Sequence, residues 1–316
     1  MEYNILGKSG FKVSKMCFGG LTIGPLQRNF SAEDGAKIII EAFERGVNFI
    51  DTAELYGTYK HINEAFKSYQ RDKITLITKS YSYSKETAEK SLKKAMEEMN
   101  TDYIDGFLLH EQESEHTLRG HWEAIEYFIK MKEKGYIRSV GISTHTVAAV
   151  KAASKLEEID IIHPIVNKAG IGIHDGSIED MIGAIKEAKK NNIGIYAMKP
   201  LGGGNLIHSY DEALDFSLNL DILDSIAIGM QSKEEVIANI CKFEGREIPQ
   251  NIKQKLNNKK RELKIANWCE RCGACVAKCQ HNALSIIDDK VVIDKSKCVL
   301  CGYCSKYCKD FCIKII

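Results

Sequence analysis

The sequence alternates eight times between a short run of β-branched and apolar residues and an amphipathic stretch with helical spacing. The first unit pairs residues 15–19 with residues 31–45, and the last pairs residues 224–228 with residues 233–241. Eight strand–helix units in roughly 245 residues match the size and order of an α/β fold, the (β/α)₈ or TIM barrel. A doubly wound sheet is the alternative, but it has fewer units and a Gly-x-Gly-x-x-Gly first turn, which is absent here. Residues 3–13 add a predicted N-terminal hairpin that would plug the barrel floor.

Cysteine is concentrated at the carboxyl end, where nine of the eleven cysteines fall between Cys269 and Ile316. The amino terminus carries no recognisable secretory signal, so we expect a cytoplasmic protein with metal sites rather than disulfides. Eight of the nine repeat one spacing, as Cys269-x₂-Cys272-x₂-Cys275-x₃-Cys279 and Cys298-x₂-Cys301-x₂-Cys304-x₃-Cys308. Three thiolates from one tight loop suit an iron–sulfur cubane, whereas zinc sites use cysteine pairs with a longer spacer. We therefore predict iron–sulfur clusters in this segment.

The chain divides into three predicted parts. Residues 1–245 form the barrel, residues 246–264 a lysine-rich helical connector, and residues 265–316 a small α+β domain. A two-stranded ribbon is expected between the two cysteine runs, turning at Asp288-Asp289. The cysteines outside the repeated spacing are interpreted as small buried apolar residues: Cys17, Cys241 and Cys312.

The carboxyl-terminal segment resembles the bacterial two-cluster ferredoxin. The resemblance implies a ferredoxin-like domain with two [4Fe-4S] clusters and crossed ligation, in which the fourth cysteine of each run serves the other cluster. The implied ligands of the first cluster are Cys269, Cys272, Cys275 and Cys308, and those of the second are Cys298, Cys301, Cys304 and Cys279. The family has proline after the fourth cysteine, where this chain has Gln280 and Lys309, so the local turn is in doubt while the ligand count is intact.

Four polar residues stand at the ends of successive barrel strands. Asp51 ends the second strand and Tyr56 follows in its loop, while Lys79 and His110 end the third and fourth strands. In a barrel these positions converge on the carboxyl-end face, where active sites lie. Each residue alone has a structural explanation, such as a helix cap or a buried histidine, but the four together indicate catalysis.

Residues 1–245 resemble the aldo-keto reductase family, whose signature matches Asp51-Thr52-Ala53-x-x-Tyr56-Gly57. The resemblance implies a tetrad of Asp51, Tyr56, Lys79 and His110 that reduces an aldehyde or ketone, or oxidises the alcohol. Tyr56 would be the general acid/base. The Lys79 ammonium would lower the phenol pKa, Asp51 would orient Lys79, and His110 would bond the substrate oxygen. His145 and His163 have no counterpart in the tetrad and are interpreted as structural or substrate-lining.

The same resemblance implies NADP or NAD as cofactor, bound without a Rossmann motif. Ser143, Thr144 and Asn167 would hold the carboxamide, and the segments around Met198 and Gly229 would hold the remainder. Glu235 would repel a 2′-phosphate if it pointed inward, whereas Lys233 could attract one. The implied cofactor-binding residues are Gly20, Thr22, Ser143, Thr144, Asn167, Met198, Lys199, Pro200, Leu201, Gly202, Gly229, Met230, Ser232, Lys233 and Asn239.

Three hypotheses remain open about how the barrel and the predicted clusters work together. In the first, the barrel reduces a small carbonyl substrate with a nicotinamide, and the clusters relay electrons to or from a redox-partner protein. In the second, the clusters deliver electrons to a bound flavin or directly to substrate, and nicotinamide is not the donor. In the third, the protein is an electron carrier on a barrel scaffold, although the complete tetrad argues against this.

The composition argues against nucleic-acid and membrane partners. The 44 Lys+Arg balance 43 Asp+Glu without a basic cluster, so no nucleic-acid partner is expected. No apolar run reaches the roughly 18–20 residues of a membrane span. The loop at residues 111–120 is short and acidic, which disfavours an anionic substrate unless its charges face solvent.

Overall fold

The computed structural model describes all 316 residues and contains a closed barrel of eight parallel strands. The strands of the chain are β1 (Tyr3–Ile5), β2 (Lys12–Ser14), β3 (Met16–Gly19), β4 (Phe49–Asp51), β5 (Thr75–Ser80), β6 (Ile104–Leu109), β7 (Ile137–Thr144), β8 (Ile161–Pro164), β9 (Gly194–Met198), β10 (Ser225–Gly229), β11 (Leu263–Ile265), β12 (Leu284–Ile287), β13 (Lys290–Ile293) and β14 (Ile313–Ile315). Strands β3 to β10 pair in chain order, and β10 closes on β3. The predicted barrel is confirmed, and the doubly wound alternative is excluded.

Helices follow the barrel strands as the alternation predicts. They are α1 (Ala32–Glu44), α2 (Tyr59–Phe66), α3 (Lys85–Met99), α4 (Glu115–Gly120), α5 (Trp122–Glu133), α6 (Val147–Ala153), α7 (Ile178–Lys190), α8 (Tyr210–Leu218), α9 (Lys233–Phe243), α10 (Gln250–Asn257) and α11 (Ala274–Ala277). Helix α1 begins at Ser31, whose hydroxyl accepts a hydrogen bond from the amide of Asp34 at 3.1 Å and so satisfies one free donor of the first turn. After β6 the structure has two helices where the sequence predicted one. No helix is long and apolar enough to cross a membrane.

The N-terminal hairpin of β1 and β2 closes the floor of the barrel. Leu6, Phe11 and Val13 from this hairpin share a buried cluster with inward-facing strand residues such as Phe49 and Ile77. Gly7 packs so closely on β9 that a Cβ atom there would lie 2.1 Å from the amide nitrogen of Gly194. Only glycine fits this contact, because its φ of 49° is also left-handed.

The cysteine-rich segment, residues 265–316, is built from two halves with matching backbones. Strand β12 pairs with β13 through a turn in which Asp288 and Asp289 both have positive φ, which agrees with the predicted ribbon. Strand β14 pairs antiparallel with β11, which lies at the end of the connector. Left-handed residues recur at the same places in the two cysteine runs, as the pairs Arg271 and Leu300, Gly273 and Gly302, and Asn282 and Phe311. The repeat seen in the cysteine spacing is therefore also a repeat of conformation.

The end of the chain packs against the barrel, at the loop that follows β9. Phe311 belongs to the main hydrophobic core, and a Cβ at Gly203 would lie 2.9 Å from its ring. A Cβ at Gly204 would lie 2.1 Å from the carbonyl oxygen of Ile315. The side-chain amide of Asn205 donates to the Ile313 carbonyl at 3.2 Å. The glycines after β9 thus let the two backbones meet closely.

Candidate active site

The structure brings the four predicted catalytic residues together at the carboxyl ends of the barrel strands. Asp51 is the last residue of β4, Lys79 lies near the end of β5, and His110 directly follows β6. Tyr56 ends a short 3₁₀ turn after β4. The Lys79 ammonium lies 4.9 Å from the centre of the Tyr56 ring, and the rings of Tyr56 and His110 are 5.6 Å apart. The parallel strands place these side chains around one mouth, as the sequence predicted.

A buried ion pair forms the base of the site. The Lys79 Nζ donates to both oxygens of Asp51, at 2.6 Å and 2.8 Å, and to the carbonyl of Thr52 at 2.7 Å. Lys79 is fully buried, so all three of its N–H groups are satisfied without water. Asp51 therefore orients Lys79, as the resemblance implied.

Two further side chains support Asp51, and the sequence interpretation missed one of them. The hydroxyl of Tyr196 on β9 donates to Asp51 Oδ1 at 2.8 Å. The His163 ring stacks on Tyr196 with centroids 3.8 Å apart, and its Nδ1 lies 2.6 Å from the Tyr196 carbonyl. Burial lowers the pKa of His163 well below its usual value, so this ring is neutral. His163 also lines the cleft that begins at Asp51 and Tyr56. Tyr196 looked like an ordinary strand residue because its partner lies on a distant strand.

The resemblance implies that Lys79 lowers the phenol pKa of Tyr56, and in the structure other groups act in the opposite direction. Burial raises the pKa of Tyr56 well above its usual value, and the negative charges of Asp51 and Glu111 raise it further. The positive charge of Lys79 is offset by Asp51, and its hydrogen bonds go to Asp51 and Thr52 rather than to the phenol. Tyr56 is consequently a protonated phenol at neutral pH, which is the form of a proton donor.

His110 is buried beside Tyr56 as a neutral ring. Burial lowers the pKa of His110 well below its usual value, and the charges of Lys79 and Lys199 act in the same direction. The ring stacks on Tyr81 at 4.5 Å, and the Tyr81 hydroxyl bonds Glu111. The buried Nδ1 of His110 has no hydrogen-bond partner in the protein. The edge-on contact with Tyr56 places the His110 ring beside the predicted proton donor.

A cleft of about 550 Å³ begins at Asp51 and Tyr56 and runs to helix α9. Seven of the predicted cofactor-binding residues line it: Thr22, Met198, Lys199, Pro200, Leu201, Gly229 and Asn239. The other eight do not line it: Gly20, Ser143, Thr144, Asn167, Gly202, Met230, Ser232 and Lys233. A long cleft with glycines and cationic side chains suits an extended dinucleotide, so the residues present fit a nicotinamide cofactor.

Several of the residues outside the cleft make structural hydrogen bonds instead. Ser143 Oγ accepts from the amide of Glu111 at 2.9 Å. The Asn167 side chain bonds the backbone of Ile171 in both directions, at 2.9 Å and 3.0 Å. Ser232 caps helix α9. These contacts fix loops at the barrel mouth.

The far end of the cleft has a charge arrangement that the sequence did not reveal. Glu235 lines the cleft, while Lys233 points away and pairs with Glu41 at 3.1 Å. Lys259 of the connector bonds Glu235 at 2.5 Å, and Arg261 lies 3.9 Å from the same carboxylate. Both cations line the cleft. The repulsion expected from Glu235 is therefore offset by residues from another part of the chain.

The cysteine-rich segment divides its thiols into two groups around separate cavities. One cavity is lined by Cys279, Cys298, Cys301 and Cys304, and the other by Cys269, Cys272, Cys275, Cys308 and Cys312. All eleven cysteines of the chain are free thiols. Each group takes three cysteines from one run and the fourth from the other. The grouping matches the crossed sets implied by the resemblance, with Cys312 as an additional buried neighbour.

The donors and contacts of the two thiol groups bear on metal binding. No three His, Cys, Asp or Glu side chains lie close enough together to hold a single metal ion. Thiols are the main donors at both cavities, although His281 lines one and Glu270 and Asp310 line the other. A set of thiols is the donor set used for iron–sulfur clusters. The fourth cysteine of each run accepts a backbone N–H bond: Cys279 from Ala283 at 3.3 Å and Cys308 from Cys312 at 3.1 Å. N–H bonds to ligand sulfurs are typical of clusters.

The barrel and the four side chains at its mouth define the class, a (β/α)₈-barrel enzyme with a polar active site at the strand ends. The profile of the Aldo/keto reductase family matches residues 15–248. The chain belongs to the aldo/keto reductase family and is an oxidoreductase of that family. The match ends before the cysteine-rich segment.

Curated relatives agree with this assignment. L-galactose dehydrogenase of Arabidopsis thaliana is 25% identical over 217 residues, which cover 65% of this chain and 67% of the relative. Probable aldo-keto reductase 1 of Glycine max is 28% identical over 220 residues, which cover 63% of this chain and 59% of the relative. The chain thus spans about three fifths to two thirds of the length of these relatives.

Solved structures show the same fold. A putative aldo-keto reductase from Pseudomonas aeruginosa superposes with a TM-score of 0.67 at 20% identity, covering 77% of this chain and 95% of that one. The holo form of an aldo-keto reductase from Bacillus halodurans gives a TM-score of 0.66 at 22% identity, covering 81% of this chain and 95% of that one.

Proposed function

We propose that the chain reduces the carbonyl group of a small aldehyde or ketone, with NADPH or NADH as the hydride donor and Tyr56 as the proton donor. The observation that carries this proposal is the Tyr56 phenol over the buried Asp51–Lys79 pair, at the head of a cleft of about 550 Å³. When bound, the reduced nicotinamide supplies a hydride to the carbonyl carbon.

The residues of the chain supply the rest of the reaction. Tyr56 donates its phenolic proton to the oxygen as negative charge develops there, and it is then reprotonated from solvent. Lys79 lies close enough to stabilise the transient phenolate, and Asp51 holds Lys79 in place through two hydrogen bonds. Neutral His110 orients the substrate oxygen.

Different residues of the cleft would contact different parts of the cofactor. Met198 and Pro200 would line the nicotinamide end, and Thr22 and Gly229 the middle of the dinucleotide. Lys259 and Arg261 would serve the adenosine end, where two cations against one Glu235 favour the additional phosphate of NADPH. We therefore propose NADPH as the preferred donor.

The cysteine-rich segment is proposed to carry two [4Fe-4S] clusters, ligated by Cys269, Cys272, Cys275 and Cys308 and by Cys298, Cys301, Cys304 and Cys279. The two thiol groups around separate cavities support this assignment. When bound, the clusters supply one-electron transfer to or from a redox-partner protein. Because several of these thiols are exposed, such clusters would be sensitive to oxygen, and we place the protein in a reducing, cytoplasmic compartment.

The reductase proposal is tested with Tyr56→Phe and the matched control Tyr83→Phe, since Tyr83 is exposed outside the site. Aldehyde-dependent oxidation of NADPH should fall about 10²- to 10⁴-fold in Tyr56→Phe and stay unchanged in Tyr83→Phe. Unchanged turnover in Tyr56→Phe would remove Tyr56 from the mechanism.

The cluster proposal is tested on the full chain purified without oxygen. About eight iron and eight acid-labile sulfide per chain are expected, and Cys275→Ser should lose about half of each. Titration with NADPH, followed by bleaching of the cluster absorbance, separates the redox hypotheses. Bleaching that requires added flavin would favour the flavin-dependent alternative, and material without iron would refute the clusters.

A further inference from the structure

Two lysines, one from each part of the chain, meet at a single aromatic ring in the catalytic cleft. The ammonium of Lys199, just after β9, lies 4.5 Å from the centre of the Phe311 ring, and that of Lys314 on β14 lies 3.1 Å from it. Both lysines and Phe311 line the same cleft as Asp51 and Tyr56. The place where the carboxyl-terminal segment docks is therefore also a wall of the catalytic cleft.

Neither lysine has an acidic partner. Lys199 Nζ lies 2.7 Å from His145 Nε2, and Lys314 Nζ donates to the Phe311 carbonyl. The carboxylate of Glu111 bonds the Tyr81 hydroxyl and lies 3.9 Å from His145 rather than pairing with either lysine. Lys314 is only 7% exposed. Burial and the charge of Lys199 lower the pKa of Lys314 well below its usual value. An anion bound between the two lysines would supply the acidic partner that both lack.

The backbone at this junction is held in uncommon conformations. Lys199 has φ of 59° and Phe311 has φ of 50°, which are left-handed values that long or aromatic side chains rarely adopt. Such residues persist where the surrounding structure requires them, often at a ligand site. Here both conformations direct a cation and an aromatic ring to the same point of the cleft.

We propose that Lys199 and Lys314 form an oxyanion site, which binds a carboxylate or phosphoryl group beside the catalytic tetrad. The catalytic role of this site rests on the proposed reductase function, whereas the binding of an oxyanion there does not depend on that function. The oxyanion has two potential sources: the acidic group of the carbonyl substrate, or the pyrophosphate of the dinucleotide. Because Lys314 belongs to the cysteine-rich segment, the site is complete only when that segment is docked. An acidic loop after β6 does not oppose this, since Glu111 is engaged by Tyr81.

The first test measures binding without turnover. Inorganic phosphate is titrated calorimetrically into the full chain purified without oxygen, and into Lys199→Met and Lys314→Met, which keep the length of the side chain. Each variant should bind phosphate about tenfold or more weakly, Lys314→Arg should restore most of the affinity, and the exposed control Lys186→Met should bind as the wild type. Circular dichroism and iron content verify that each variant is folded and loaded.

The second test identifies the source of the oxyanion. If saturating NADPH abolishes phosphate binding and both methionine variants bind NADPH more weakly, the site holds the pyrophosphate. If phosphate still binds beside NADPH, the site holds a substrate group, and the variants should raise the KM for 4-carboxybenzaldehyde but not for 4-methylbenzaldehyde. Absence of turnover with either aldehyde would count against the reductase function and leave the phosphate titration decisive. Unchanged phosphate affinity in both methionine variants, or a loss confined to cluster content, would overturn the oxyanion site.

Discussion

Replacing Lys79 with methionine should destabilise the barrel strongly, because it leaves the Asp51 carboxylate buried without a cation. Lys79 makes two of the three side-chain hydrogen bonds to Asp51, and Tyr196 makes the third. Removing one member of a buried ion pair costs about 3–5 kcal/mol, since the remaining charge is neither paired nor hydrated. We expect a loss of this size in the free energy of unfolding of Lys79→Met at about pH 8.

The loss should depend on pH in a definite direction. Burial already raises the pKa of Asp51 in the folded protein, although Lys79 and Tyr196 lower it in part. Without Lys79 that pKa rises further above the value of about 3.9 in the unfolded chain. The folded variant then binds a proton more tightly than the unfolded chain, so its stability falls as pH rises through the folded pKa. Lys79→Met should recover part of its stability at about pH 5.5.

Urea unfolding followed by circular dichroism measures both effects. The control is Asp51→Asn combined with Lys79→Met, in which no charge remains buried, and this double variant should lose less stability than Lys79→Met alone. A Lys79→Met protein within about 1 kcal/mol of the wild type at alkaline pH would refute the reasoning, because that is the range of an exposed ion pair. The absence of any pH dependence would refute the assignment of the effect to Asp51.

Three further predictions follow from the cleft. Lys259→Met should weaken the binding of NADPH about tenfold and leave the binding of NADH nearly unchanged, because the charge of Lys259 offsets that of Glu235. Fluorescence titration with both dinucleotides measures the two affinities. The affinity for phosphate should fall as pH rises through about 8, where Lys199 loses its proton because burial lowers its pKa to about 8; calorimetry at a series of pH values measures this. Phe311→Ala should cost about 3–5 kcal/mol and expose the cleft to protease, since it removes a ring from the barrel core; limited proteolysis and urea unfolding test it.

Much of the fold and the catalytic centre could be predicted from the sequence, because both depend on local periodicity and strand order. Alternating strands and helices specify a parallel barrel, and parallel strands place their carboxyl ends on one face. Asp51, Lys79 and His110 end successive strands, so their convergence follows from order alone. The ferredoxin resemblance of the cysteine-rich segment implied two crossed sets of thiols, and in the structure each of two cavities is lined by cysteines from both runs.

The pKa values and the partners of these residues were decided by tertiary packing. Lys79 was expected to lower the pKa of Tyr56, but the sequence did not show that burial and the charges of Asp51 and Glu111 act in the opposite direction. The burial of a titrating group and the charges that act on it depend on many residues that are distant in sequence. A short motif therefore does not specify the pKa. The hydrogen bond from Tyr196 to Asp51 was missed for the same reason, since the two residues are far apart in the chain.

The sequence by itself determined which chemical groups the chain contains and in which order the strands carry them. Only the tertiary structure decided that Phe311 and Lys314 reach the cleft and that Lys259 offsets Glu235. The physical reason is that docking depends on the shape of two surfaces, here the glycines after β9 against the strand that ends the chain. Such complementarity has no period or spacing along the chain from which it could be predicted.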